Sequence, residues 1–442
     1  MIGRRRLLAG AVGALASWTA RAALGRGRIP YGTTLSLHVP WPVGSIDPHR
    51  IDDAMAAFFG NALFDTLYAL DDAGAPVPSL AGGDPRPEGT GLLIALRPGL
   101  RFASGVPLDV RAAAAAIARA RTHDAAAWLA DVPAPRATEA GLVFAARDPR
   151  ALARALASPL VAMVPPRFAP ERPDGTGPFR AESTAWGLRL VRNGLAANGP
   201  AFLDEIDARR AADLATPLRA FESGEDDVGW LGSFLHEPRS GARGFDVGEV
   251  AWTVLRTGKQ AGPLDAPGTA QALADGVPHA ALAPLVVGPP WPQGDARWTG
   301  APADLLVRDD APWLIEVARA LAVALSASSH EITVRTIASA DLAARRASRA
   351  FTLMLDVARP AGPDAMGTLL GLASADDPAA ALALARHPPR PDPAPRRLTR
   401  AMHLGVVGEV RLQGGRAADV VLPAGPGGRG VDWGSAFRTR RG

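Results

Sequence analysis

Apolar residues recur at helical spacing between Asp52 and Leu70, where Met55, Phe58, Phe59, Leu63 and Leu67 share a face, and the pattern predicts a helix there. Just before it, Leu35 to Val39 alternates as a short strand, which Pro40-Trp41-Pro42-Val43-Gly44 breaks. Asp71-Asp72-Ala73-Gly74 reads as a turn, and Leu92 to Leu96 and Gly99 to Phe102 as strand pieces around Arg97-Pro98-Gly99. Asp109 is placed to cap an Ala-rich helix running to Arg121. A second Ala/Leu helix covers Asp148 to Ala157, and the Pro-rich stretch from Pro165 to Pro173 reads as a linker.

Further along, Leu188 to Arg192 and Val250 to Leu255 are expected strands, with a helix at Ala212 to Ser223 between them. Residues 257–302 are full of Pro and Gly and show little periodicity. A clearer unit then begins: strand (Ala303 to Val307), helix (Trp313 to Leu325), strand (Ile332 to Ile337), helix (Ala340 to Ala347), strand (Phe351 to Val357). That alternation predicts βαβ packing and a parallel sheet. Pro388 to Pro395 marks another linker, Asp432 to Phe437 closes the chain, and no internal repeat is visible.

At 442 residues the chain is too long for one ordinary core, and roughly 100–200 residues per domain predicts two or three. A composition of 48% hydrophobic and 21% charged residues is that of a globular protein. The sequence pI of about 10.3 suggests nucleic acid until the charges are placed. Arg4, Arg5, Arg6 and Arg21 stand in the first 22 residues with no acid, and the rest of the chain is neutral. A phosphate-tracking surface needs clustered excess positive charge, and only the short tail Arg438, Arg440, Arg441 offers any. Nucleic acid is not an expected partner.

The N-terminus reads as an address. Arg4-Arg5-Arg6, a short apolar run from Leu7 to Trp18, and Thr19-Ala20-Arg21-Ala22 make an export signal over residues 1–22, with cleavage expected near Ala22. Arg4 to Leu8 also looks like a twin-arginine signal, with Gly3 where Ser or Thr usually stands. An uncleaved signal would instead anchor the protein to the membrane. The apolar run is too short to span a bilayer of ~30 Å as a helix. The chain has no Cys, which excludes thiol nucleophiles, Cys-zinc sites and iron–sulfur clusters.

The search for catalytic chemistry returns little. His236-Glu237 and His330-Glu331 lack a second His four residues after the first, where Ser240 and Val334 stand. There is no Gly-x-Ser-x-Gly elbow, and Gly258-Lys259-Gln260 lacks the remainder of a phosphate loop. Gly175-Thr176-Gly177 misses the third Gly of a dinucleotide fingerprint. Glu225-Asp226-Asp227 reads as a metal cluster or, more simply, as an acidic turn after a helix. No enzyme activity, cofactor or resident metal is expected.

Several segments, in order, resemble the extracytoplasmic solute-binding proteins of family 5, the peptide-, nickel- and oligopeptide-type receptors of ABC importers. They are Ile46-Asp47-Pro48-His49, Leu63-Phe64-Asp65-Thr66-Leu67, Gly105-Val106-Pro107-Leu108, Gly175-Thr176-Gly177-Pro178-Phe179, Arg192-Asn193, Phe202-Leu203-Asp204-Glu205-Ile206 and Phe221 to Asp227. Gln271-Ala272-Leu273-Ala274 and Asp432-Trp433-Gly434-Ser435 match less well. The resemblance implies an α/β, two-lobed periplasmic-binding-protein fold, class II-like with an extra subdomain, its lobes joined by hinge strands. Lobe I would be residues 31–50, 165–256 and 401–442, the extra subdomain 51–164, and a shortened lobe II 257–400.

The same resemblance implies a solute held between the lobes and delivered to the permease subunits of an ABC importer by a periplasmic monomer. Asp52, Asp53 and Ala54 would lie along the ligand main chain. Val357 and Pro360 stand where family members carry a Trp and an amine-binding Asp, which puts ordinary peptide binding in doubt. Asp364 replaces that Asp only in a shifted alignment. Arg359, beside Val357 and Ala358, would engage an anionic solute or else be a solvated loop residue. On the first reading, Arg359→Ala weakens solute binding with little loss of stability. Trp41, Trp230 and Phe234 would wall the cleft or pack in the core. The weak second-lobe motifs also fit a sensor or scaffold that no longer transports, and an exported hydrolase is the remaining alternative.

Overall fold

The computed structural model describes residues 32–71, 73–230, 240–283, 285–288, 293–387, 399–425 and 429–439. The export signal therefore lies outside the described residues, as do Phe234, His236-Glu237 and the Pro388 to Pro395 stretch. Strand β1 (Thr34–Val39) leads through Trp41 and the Asp47-Pro48-His49 turn into helix α1 (Ala54–Leu63). Asp53 caps α1 by accepting from the Ala56 N–H at 2.9 Å, and Met55, Phe58, Phe59, Ala62 and Leu63 are buried.

The helix expected to reach Leu70 stops at Leu63, because Gly177 N–H takes the Leu63 carbonyl at 3.0 Å. Residues Tyr68–Leu70 form a strand paired with Pro76–Pro78. A small antiparallel sheet from Arg86–Glu88 to Gly141–Phe144 follows, packed with helix α2 (Val110–Thr122), while helix α3 (Pro149–Ala155) packs on the Tyr68–Leu70 and Pro76–Pro78 pair. Gly99 to Phe102, expected as strand, is a turn region with only an isolated bridge from Arg101 to Pro107.

Strands β2 (Phe179–Ser183), β3 (Gly187–Arg192) and β4 (Glu205–Arg210) complete a four-stranded sheet in the order β1-β4-β3-β2. Then comes β5 (Arg243–Thr257), far longer than the expected Val250 to Leu255. Next are β6 (Ala303–Arg308), α4 (Pro312–Leu325), β7 (Ile332–Ile337), α5 (Ser339–Ser348) and β8 (Leu353–Ala358). Strand β6 pairs in parallel with both β7 and β8, as the alternating pattern predicted. Strand β9 (Leu404–Arg416) had no counterpart in the sequence reading.

The long strands β5 and β9 pair antiparallel and join the two halves. At one end β9 pairs with Val228–Trp230, which adjoins β1 through the Asp227 N–H to Ser36 carbonyl bond. At the other end β5 pairs with β8 in the βαβ unit. At about 3.3 Å per residue, fifteen residues of β5 reach roughly 50 Å. No helix among the described residues is long and apolar enough to cross a membrane.

Candidate functional site

The turn before α1 faces the end of β8. The turn is rigid. Arg119 of α2 holds Asp47 by two bonds, at 2.9 and 2.6 Å, and donates to His49 Nδ1 at 2.7 Å. Because a guanidinium only donates, Nε2 carries the His49 proton and gives it to the Ala162 carbonyl at 2.8 Å. Burial, then the nearby Arg119 charge, pushes His49 down to about 4, so it is neutral at pH 7. Burial opposes ionisation of Asp47, but the Arg119 hydrogen bond and charge outweigh it.

From that turn hydrogen bonds reach the end of β8. The Ile51 carbonyl accepts from the Arg359 N–H at 2.8 Å, and Ile51 N–H donates to Asp124 Oδ2 at 2.8 Å. Arg359 is 5% exposed, and its Nη1 donates to the Arg50 carbonyl at 3.1 Å. Asp52 receives Arg50 Nε at 3.1 Å and, from α5, Arg346. Arg346 also donates to Asp356 on β8 at 2.6 Å. Burial disfavours the charge on Asp52, and Arg346 and Arg50 together outweigh it, holding the carboxyl well below the usual range.

A hydrogen bond, a further ion pair and a ring contact flank these charges. Ser158 donates to the Ala361 carbonyl at 2.5 Å, and Arg154 reaches Asp364 at 2.9 Å. Gly362 lies against the Trp128 ring, where an added Cβ would come within 2.3 Å. Trp41 is 4.7 Å from Trp313 of α4 and 5.4 Å from Phe58 of α1, ring centre to ring centre. The space enclosed beside Trp41 and Trp313 is about 10 Å³, room for about one water.

No family model matches this sequence, and no curated protein does. Solved structures do. NikA from Staphylococcus aureus, in complex with Ni(L-His)2, is similar at a TM-score of 0.68 and 14% identity over 92% of this chain and 100% of that chain. The PBP AgaA of A. tumefaciens R10, in complex with agropinic acid, is similar at 0.69 and 14% over 93% and 99%. The ABC transporter-associated periplasmic binding protein DppA of Helicobacter pylori, in complex with the peptide STSA, is similar at 0.67 and 13% over 93% and 99%. This chain has the two-lobed periplasmic-binding-protein fold. At these identities the likeness is one of fold.

Within that fold, Asp52, Asp53 and Ala54 stand at the start of α1, and Val357, Ala358 and Arg359 at the end of β8. Arg359 bonds to the Ile51 and Arg50 carbonyls just before the first group, and Asp52 bonds to Arg346. Ala54, Val357 and Ala358 are buried, and Asp53 holds the Asp47 and Ala56 N–H groups. Trp41 packs inside the core, between the rings of Trp313 and Phe58. Trp230 lies on the strand opposite Gly414, and Phe234 lies outside the described residues. Arg359 is not a solvated loop residue, and its burial corrects the expectation that its removal spares stability. Asp364 caps the helix Ala365–Asp376 and pairs with Arg154. Asp226 binds His38 Nδ1 at 2.8 Å, and Asp227 receives Ser36 and Arg438. Among the described residues no group of three metal-ligating side chains is placed to hold an ion. Sequence reasoning passed over Arg346, Asp356 and Asp124, which only the tertiary fold brings beside Asp52.

Burial pushes the Asp53 carboxyl up to about 6 from its ordinary 3.8. The folded state therefore takes up a proton before the unfolded state as pH falls from about 6 to 4, and gains stability there. Above about 6 that gain is lost. Relative to Asp53→Asn, the unsubstituted protein should gain about 1.4 kcal/mol per pH unit across this window. Urea midpoints of both proteins at several pH values measure it, and parallel pH profiles would show that Asp53 does not titrate this way.

Proposed function

We propose that this protein is an extracytoplasmic solute-binding receptor that closes two lobes on a small peptide-like or anionic organic solute and hands it to an ABC importer. One observation carries the reading. A fold shared with binding proteins over more than nine-tenths of the chain includes the paired long strands β5 and β9 that a hinged closure requires. Binding between lobes needs apolar walls and a few placed polar groups, and no catalytic residue. Asp52 to Ala54 and Val357 to Arg359 would line the two sides once the lobes part, with Trp41 and Trp230 as candidate walls. The protein would act as a periplasmic monomer after loss of its export signal.

A second reading, a sensor or scaffold that no longer transports, is favoured by the bonds that already occupy cleft residues, Asp52 to Arg346 and Arg359 to the Arg50 carbonyl. Native mass spectrometry of the exported protein, purified without refolding, separates the two. A small molecule that leaves on denaturation is the expected result. An unliganded mass, unchanged after incubation with periplasmic extract, would overturn the receptor reading in favour of the second.

A further inference from the structure

We propose that Asp52 is a built-in latch: a carboxylate of one lobe held by a guanidinium of the other, which keeps the lobes shut without a solute. It rests on the receptor reading only in taking the lobes to be separable. Asp52 is set in place by backbone that cannot drift, between Ile51, bonded at both its N–H and its carbonyl, and Asp53, the cap of α1. Arg346 is oriented from behind by Asp356 at 2.6 Å, which leaves its other Nη to reach across the junction to Asp52.

The charge count around Asp52 explains why the contact is decisive. Arg50 on one side and Arg346 on the other share this one carboxylate, with Asp124 3.6 Å from Arg50 and Asp356 3.8 Å from Arg256. With Asp52 present, three acids face three bases. Without it, two arginines of opposing lobes face each other with a net positive charge between them, and attraction across the junction becomes repulsion. The side chains of Arg346 and Asp52 are 16% and 19% exposed, too sheltered for full screening yet open to a small anion from solvent. A free carboxylate of the size of acetate matches what Asp52 supplies, so a carboxylate-bearing solute would enter by displacing it.

The absence of Cys makes the test direct. Spin labels at Asp131→Cys and Ala344→Cys, both exposed and on opposite sides of the junction, report the separation of the lobes by pulsed dipolar spectroscopy. Adding Asp52→Ala should shift the distance distribution to longer values. Acetate should restore the short distance, and chloride at equal ionic strength should not. Arg346→Met should lengthen the distance too, with no rescue by acetate, and it carries the test should Asp52→Ala not fold. An unchanged distance in the folded variants would overturn the proposal. So would rescue by chloride as good as that by acetate. No solute is used, so either outcome leaves the mass-spectrometric test of the receptor reading independent.

Discussion

Gly175→Ala is expected to destabilise the protein by about 3–5 kcal/mol, and Gly175→Val to leave little that folds. A Cβ on Gly175 would lie 2.1 Å from the Leu63 carbonyl oxygen and 2.6 Å from the Phe64 ring. The first obstacle is backbone at the end of α1, which no side-chain rotation relieves. Moving the segment away would strain a tight set of bonds. These are Ala103 N–H to the Gly175 carbonyl at 2.8 Å, Thr176 Oγ1 to Asp65 at 2.7 Å, and Gly177 N–H to the Leu63 carbonyl at 3.0 Å. Against a total stability of about 5–15 kcal/mol, such a loss is large. Gly194→Ala is the control, since nothing lies within 4 Å of its Cβ position, and it should change stability by less than about 0.5 kcal/mol. Urea unfolding of the three proteins measures both effects. A Gly175→Ala midpoint equal to that of Gly194→Ala would show that α1 can yield.

The same segment shows why some of the fold was legible in the sequence. Gly175-Thr176-Gly177 was read as part of a motif without a stated reason, and its reason is steric: only glycine fits against the end of α1. Helices α2, α4 and α5 fall within two residues of expectation; α2 has its Asp109 cap and α4 a periodic apolar face, while α5 buries only Leu342 and was legible from its place between two strands. Strand β9 was missed because Gly405, Gly408, Gly414 and Gly415 weaken any strand signal in a local reading. Two of these glycines exist for contacts invisible in sequence. A Cβ on Gly405 would lie 2.4 Å from the Ala270 carbonyl oxygen, and one on Gly408 2.7 Å from that of Val287. The candidate site was half legible for a similar reason. Asp52 to Ala54 and Val357 to Arg359 were singled out, but their partners Asp124, Arg346 and Asp356 have no local pattern. Arg346 is one arginine among 47 basic residues of its kind until α5 places it opposite Asp52.

Arg359→Ala is expected to cost about 3–5 kcal/mol of stability, the loss of a buried large side chain together with the donor it supplies to buried carbonyls. Burial lowers the pKa of this guanidinium, and Asp53 and Asp47 are the charges that work most against that shift. Removing it leaves the Arg50 carbonyl without its donor at 3.1 Å and leaves Asp53, already pushed up to about 6, without the cation that favours its charged form. Both losses fall on the turn that carries Asp52, so the substitution loosens the latch as well as the fold. Arg359→Met separates the two contributions, because it keeps most of the packed stem and removes only the charge and the donors. The methionine variant should lose less stability than the alanine variant, and the stability lost by both should shrink as pH falls through about 6, where Asp53 becomes neutral. Urea midpoints at pH 7.5 and pH 5 test this. A loss below about 1 kcal/mol for Arg359→Ala would instead mark the residue as free for a solute, as its position in the sequence first suggested.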